Sequence, residues 1–208
     1  MRRREVLAGL AGAGTVIGGG AIAVYGLPSV DDPTAESADG DADADPLTIE
    51  TIDAPGSEAG EVTIPSSDRA TFIDIFGTWC PPCIEQMPAL ATAYDRIGDD
   101  VLFVSVTNES VGEDRAITEA ELVEWWDEHD GNWTVGLDRR AELTERYLDG
   151  GYPTAAAIDA TGTVQWSDSG VKTAAELVEG IEQALDADGA ETETKTETET
   201  ETETGAER

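Results

Sequence analysis

The 208-residue chain carries 45 acidic against 12 basic side chains, a formal charge of −33, and is long enough for one domain with extensions. With Lys172 and Lys195 its only lysines, it lacks the basic face that nucleic-acid binding requires and is unsuited to anionic lipid surfaces. Self-repulsion on this scale destabilises a compact state in dilute buffer and is screened over about 3 Å in 1 M salt, so the acidity reads as the whole-surface adaptation of an extreme halophile. Asp39-Gly40-Asp41-Ala42-Asp43-Ala44-Asp45 comes nearest to a calcium loop and lacks the closing glutamate.

Residues 1 to 27 open with Arg2-Arg3-Arg4-Glu5-Val6-Leu7 and carry no charge from Val6 to Leu27. A twin arginine before a Gly- and Ala-rich apolar run resembles a Tat export signal, which implies export of an already folded protein. Two outcomes fit: cleavage near Ala21-Ile22-Ala23, giving a secreted form, or retention as a membrane anchor, since about 20 apolar residues span a bilayer. Residues 28 to 45, acidic and poor in large apolar side chains, read as a disordered linker.

The segments Leu47 to Ile52 and Glu61 to Ile64 alternate at period two around Pro55, Gly56 and Gly60, which predicts an N-terminal β-hairpin. Phe72-Ile73-Asp74-Ile75-Phe76 predicts a buried strand. It runs through Gly77-Thr78-Trp79 into Cys80-Pro81-Pro82-Cys83, after which Ile84, Met87, Leu90, Ala91, Tyr94 and Ile97 recur at helical spacing. Val101 to Val106 predicts a second buried strand, parallel to the first across that helix. Thr118 and Glu121 have the spacing of a capping box and start a helix through about Glu128. A short strand follows over 132–137, a helix over 139–148 ended by Gly150-Gly151, a strand over 152–159, its hairpin partner over 163–166 and a closing helix over 173–185. The Glu-Thr alternation then marks 189 to 208 as a disordered, low-complexity tail.

Cys80 and Cys83 are the only cysteines, so they can join each other, another molecule, or a metal that takes most of its ligands elsewhere. Their spacing favours a reversible dithiol/disulfide. At a strand-to-helix junction unpaired N–H groups and the helix dipole stabilise an anion, so Cys80, facing outward, is the expected thiolate nucleophile. Cys83, a turn further in, is shielded, and Pro81 and Pro82 limit the freedom of the loop between them. His129, the sole histidine, reads as a surface residue, and Trp125, Trp126 and Trp133 as core.

The run Trp79-Cys80-Pro81-Pro82-Cys83, with Pro88 in the following helix and Gly151-Tyr152-Pro153-Thr154 further on, resembles the thioredoxin superfamily, in particular its TlpA-like branch of extracytoplasmic thiol-disulfide oxidoreductases. The resemblance covers 46 to 188. It implies an α/β thioredoxin-like fold, a central mixed β-sheet flanked by helices and preceded by a β-hairpin. It implies that Cys80 attacks a disulfide and Cys83 resolves the mixed intermediate, with Trp79, Pro81, Pro82, Tyr152 and a cis Pro153 forming the substrate-binding surface. Asp74 stands where thioredoxin carries a buried carboxylate, and desolvation would raise its pKa and suit it as general base; a strand-end aspartate bonded to backbone is the plainer alternative. TlpA-like proteins often place a glutamate where this chain has Gln86, and Glu85 is turned about 100° away.

These features imply an exported protein-disulfide reductase whose redox group is the Cys80–Cys83 disulfide itself, with no further cofactor and no metal site. Cytochrome c or oxidase assembly cysteines are candidate targets. Its partners would be disulfide-containing proteins and a membrane dithiol electron donor, with no nucleic acid and with membrane contact through the N-terminal segment alone. A disulfide-forming oxidase of the same fold is one alternative. A Cu(I) metallochaperone using the same thiolates is another, though the chain offers only Met1 and Met87 as thioethers.

Overall fold

The computed structural model describes residues 45–147 and 150–204, with side chains to residue 190. The export or anchor segment expected over 1–27, the linker up to residue 44 and residues 205–208 lie outside the described residues. Seven strands and four helices follow in the order β1 (Leu47–Thr51), β2 (Gly60–Ile64), β3 (Thr71–Phe76), α1 (Pro81–Ile97), β4 (Leu102–Thr107), α2 (Glu119–Glu128), β5 (Thr134–Leu137), α3 (Glu142–Tyr147), β6 (Thr154–Ile158), β7 (Val164–Ser169) and α4 (Ala174–Thr204). The strands form one mixed sheet in the order β2-β1-β5-β4-β3-β6-β7. β3, β4 and β5 run parallel, and the β1–β2 hairpin and the β6–β7 hairpin close the two edges antiparallel. This is the thioredoxin-like arrangement with an added N-terminal hairpin.

Every residue of β3 and of β4 is buried, as strands covered on both faces must be. Their side chains still divide by period two. Phe72 and Phe76 pack with α1, α2 and α4, whereas Ile73 and Ile75 join Leu143 and Tyr147 of α3 on the opposite face. The first face is built from rings: Phe72 on Phe103 at 4.5 Å, Phe103 on Trp133 at 5.6 Å and Trp133 edge-on to Trp126 at 4.9 Å. Each such pair adds about 0.5–1.5 kcal/mol beyond its buried area. The indole N–H of Trp126 donates to the Pro55 carbonyl at 3.0 Å and so ties α2 to the hairpin loop.

Local chemistry sets the helix ends. Thr118 and Glu121 cap α2 reciprocally, as their spacing predicts. The helix expected over 139–148 is shorter, because Asp138 accepts from the Thr144 N–H and hydroxyl and Ala141 sits at φ 59°, so the chain turns before α3 begins. β5 likewise starts at Thr134 rather than at residue 132. Thr173 and Glu176 cap α4, whose packed residues are Leu177, Ile181 and Ala184. α4 extends to Thr204, across the stretch where composition predicts a disordered tail. There Glu and Thr alternate and provide no apolar stripe to bury.

Candidate active site

β3 delivers the chain to the carboxyl edge of the sheet, and the helix that returns begins at the motif. Cys80 is the N-cap of α1, Pro81 and Pro82 occupy its first turn, and Cys80 and Cys83 are joined in a disulfide. Proline suits these positions because it needs no hydrogen-bond acceptor there and its φ is preset for the helix. The Cys83 N–H points at the Cys80 sulfur at 3.2 Å, the sole hydrogen bond to either sulfur among the described residues. It places a helix-terminal donor where a thiolate would form.

The sequence expects Cys80 to face outward. In the disulfide state Cys80 is only 3% exposed and Cys83 1%. The exposed surface belongs instead to their neighbours: Trp79 is 62% exposed, Pro81 and Pro82 lie open, and Ile84, expected on the buried stripe, is 38% exposed. The buried face of α1 is Cys83, Gln86, Met87, Leu90, Ala93 and Ile97. Pro88 lies within the helix. The Trp79 ring folds back over Gly77, where a Cβ would stand 2.8 Å from the indole.

The loop before β6 forms the facing wall. Its Tyr152–Pro153 peptide is cis, the Tyr152 ring meets Trp79 edge-on at 5.3 Å, and the Tyr152 hydroxyl donates to Asn108 Oδ1 at 2.9 Å. The structure thus brings Trp79, Cys80, Cys83 and Tyr152 together at one end of the sheet, with Pro81 and Pro82 on the same rim.

Asp74 lies beneath. It shares the Phe72–Phe76 face of β3, opposite Ser105 of β4 and Ala155 of β6, and is 1% exposed. The Ser105 hydroxyl donates to Oδ2 at 3.1 Å, while Oδ1 has no hydrogen-bond partner among the described residues. Burial pushes its pKa up to about 7, and the Ser105 bond offsets only part of that rise. The plainer reading, a carboxylate bonded to backbone, describes other acids in this chain: Asp138 accepts from Thr144 N–H, and Asp159 accepts from the N–H groups of Thr161 and Thr163. Asp74 has no such bond.

The sequence does not announce Glu109, nor the contact that Gln86 makes. Glu109 accepts from the Thr78 N–H at 2.7 Å and the Thr78 hydroxyl at 2.9 Å, with Thr107 Oγ1 at 3.3 Å as a third donor. It clamps the loop two residues before Cys80. The signal lies in the register: β3 and β4 are parallel with Phe76 opposite Thr107, so whatever follows β4 stands beside whatever follows β3. Gln86, buried, accepts the Lys172 N–H at 2.7 Å and fastens α1 to the loop before α4. Glu85 is exposed and cannot replace it.

His129 is half-buried rather than on the surface, stacked on Trp125 at 4.5 Å with Nδ1 2.7 Å from the Trp125 carbonyl. Trp126 and Trp133 are core residues, and Trp125 stacks on Phe76. Among the described residues no group of three His, Cys, Asp or Glu side chains is placed to hold a metal, and no helix is long and apolar enough to cross a membrane.

Known proteins resemble this chain. The Redoxin family pattern matches residues 54–185. The chain is 24% identical over 127 residues to sporulation thiol-disulfide oxidoreductase A of Bacillus subtilis, covering 61% of this chain and 74% of that protein. It is 29% identical over 117 residues to the thiol-disulfide oxidoreductase ResA of Geobacillus kaustophilus, covering 55% of this chain and 62% of that protein, less than two thirds of its length. Among solved structures, the exposed lipoprotein thioredoxin Etrx1 of Streptococcus pneumoniae superposes with a TM-score of 0.52 at 22% identity, over 69% of this chain and 99% of that one.

Proposed function

The chain belongs to the Redoxin family, and from that membership and the site we propose that it is a thiol-disulfide oxidoreductase that reduces disulfides in extracytoplasmic proteins. The observation that carries the reading is the Cys80–Cys83 disulfide at the start of α1, buried yet rimmed by exposed Trp79, Pro81, Pro82 and Ile84. An apolar rim suits an unfolded or extended substrate segment, and the sulfurs beneath it are shielded until such a segment docks against Trp79, Tyr152 and Pro153.

In the reduced enzyme the Cys80 thiolate attacks one sulfur of the substrate disulfide, forming a Cys80–substrate bond and releasing a substrate thiolate. Cys83 then gives its proton to Asp74. The Cys83 thiolate attacks the Cys80 sulfur, restores the Cys80–Cys83 bond and expels the second substrate thiolate, so two electrons pass to the substrate. A dithiol donor reverses the steps on the enzyme. The cysteine pair is the redox group, and no other cofactor enters.

Electrostatics supports the reducing direction. A strongly oxidising pair is one whose reduced thiolate is stabilised. Here the sulfur receives one backbone N–H, and the side chains tied to the motif loop and set into its strand are the carboxyl groups of Glu109 and Asp74, which disfavour a further anion. Export is supported by Arg2-Arg3 before the uncharged run; the N-terminal segment then serves as signal or anchor, and the membrane dithiol carrier and assembly cysteines of cytochrome c or an oxidase are its proposed partners. Replacing Cys80 by serine is expected to abolish insulin-disulfide reduction in molar salt. An unchanged rate would refute the assignment.

A further inference from the structure

Beneath the cysteines, Trp133 Nε1 lies 2.9 Å from Ser105 Oγ, which lies 3.1 Å from Asp74 Oδ2. Their relative exposures are 1%, 0% and 1%, so water does not compete for these bonds. An indole N–H can only donate, and a serine hydroxyl has one hydrogen. With Trp133 donating to its oxygen, Ser105 directs that hydrogen to the acceptor it has among the described residues, Oδ2. Were Oδ2 protonated, the serine hydrogen would be buried without an acceptor, a cost of about 1–3 kcal/mol. The other oxygen, Oδ1, is buried and has no hydrogen-bond partner among the described residues.

We propose that Ser105 and Trp133 are positioning residues that hold Oδ2 as a fixed acceptor and reserve Oδ1 as the atom that takes the Cys83 proton and returns it. This rests on Asp74 being the proton acceptor of the exchange. In the sheet Asp74 is flanked by Ser105 of β4 and Ala155 of β6, it shares the face of Phe72 and Phe76 that packs with α1, and Cys83 is the one titratable residue on the buried face of that helix. A donor-only residue at the far end of the chain gives it polarity, in the sense tryptophan to serine to aspartate.

The test follows the Asp74 carboxyl carbon by NMR against pH in the full oxidised chain, labelled at aspartate, in molar salt. The wild-type midpoint is expected at about 7. Ser105→Ala removes the one hydrogen bond that favours the anion and is expected to raise the midpoint by about one pH unit. Trp133→Phe keeps a ring against Trp126 and Phe103 and lets the hydroxyl turn, so a smaller rise is expected. In the wild type the Trp133 indole N–H resonance is expected to titrate with Asp74. A midpoint that stays put or falls in Ser105→Ala, or an indole signal blind to Asp74, overturns the proposal; the indole measurement needs no variant and stands even where a substitution prevents folding. Failure of the underlying reading looks different: Asp74→Asn would reduce insulin at the wild-type rate between pH 5 and 9 while the midpoints still moved as stated.

Discussion

The floor and the rim of the site each carry one carboxyl group, and they are built on opposite terms. On the floor, Asp74 is fully buried and, among the described residues, receives a single hydrogen bond and leaves one oxygen without a partner. On the rim, Glu109 is half-buried and accepts from three donors. Burial without compensation raises a pKa, and hydrogen bonds to the anion counter it. The floor is thus made to change protonation, and the rim is made to hold a loop in place. A buried acid poised near neutrality costs stability, which is why such groups mark function more often than packing.

Breaking the floor should have the largest effect. Asp74→Asn is expected to slow insulin reduction about 100-fold at pH 8, within the range for lost general-base catalysis, and to remove a rate limb centred near pH 7. The same variant tests the cost. In the unfolded chain Asp74 ionises near pH 4, and in the fold near 7. Its contribution to stability is therefore fully present below about pH 4 and is lost as the pH rises through 7. Asp74→Asn should then match the wild type at pH 4 and exceed it by on the order of 3 kcal/mol at pH 8 in thermal or urea unfolding.

The rim should respond less and without that pH signature. Glu109→Ala strands the Thr78 N–H and hydroxyl and is expected to cost about 1–3 kcal/mol in unfolding experiments and to slow exchange at all pH values. Glu109→Gln keeps an acceptor for the N–H and should recover most of both. Gln86→Ala leaves the Lys172 N–H unpaired, and a loss of about 1–2 kcal/mol is expected with the reduction potential unchanged. The smallest effect belongs to Tyr152→Phe, which gives up one bond to Asn108 and keeps the ring against Trp79. There the loss is expected to be about 0.5–1.5 kcal/mol, with a modest rise in KM for insulin. A Glu109→Ala rate profile that lost its limb near pH 7 would mean that floor and rim do not divide the work in this way.

Much of the floor was legible in the sequence because it is local. An apolar run into Cys80-Pro81-Pro82-Cys83 fixes a strand, a helix start and a thiol pair, and period two puts Asp74 on the same face as Phe72 and Phe76. Ser105 and Trp133 were hidden, because nothing in a serine within a buried run announces a bond to an aspartate 31 residues away, and nothing in a tryptophan before a short strand announces a bond to a serine 28 residues away. The rim was hidden for the same reason: Glu109 reaches Thr78 only once β3 and β4 lie parallel in register. The burial of Cys80 was misjudged because shielding comes from the rings and loops gathered around the helix start, not from the helix periodicity that exposes Pro81 and Pro82. Helix ends were read well where a cap is local, as at Thr118, and poorly at α3, where Asp138 reaches forward to Thr144.

The reduction potential of the Cys80–Cys83 couple, titrated against glutathione or dithiothreitol in molar salt, tests the central claim most directly. A protein whose thiolate is served by one backbone N–H beside carboxyl groups should sit near about −270 mV, at the thioredoxin end of the scale. A value near about −120 mV, that of a strong oxidant, would contradict the account and make the protein a donor of disulfides.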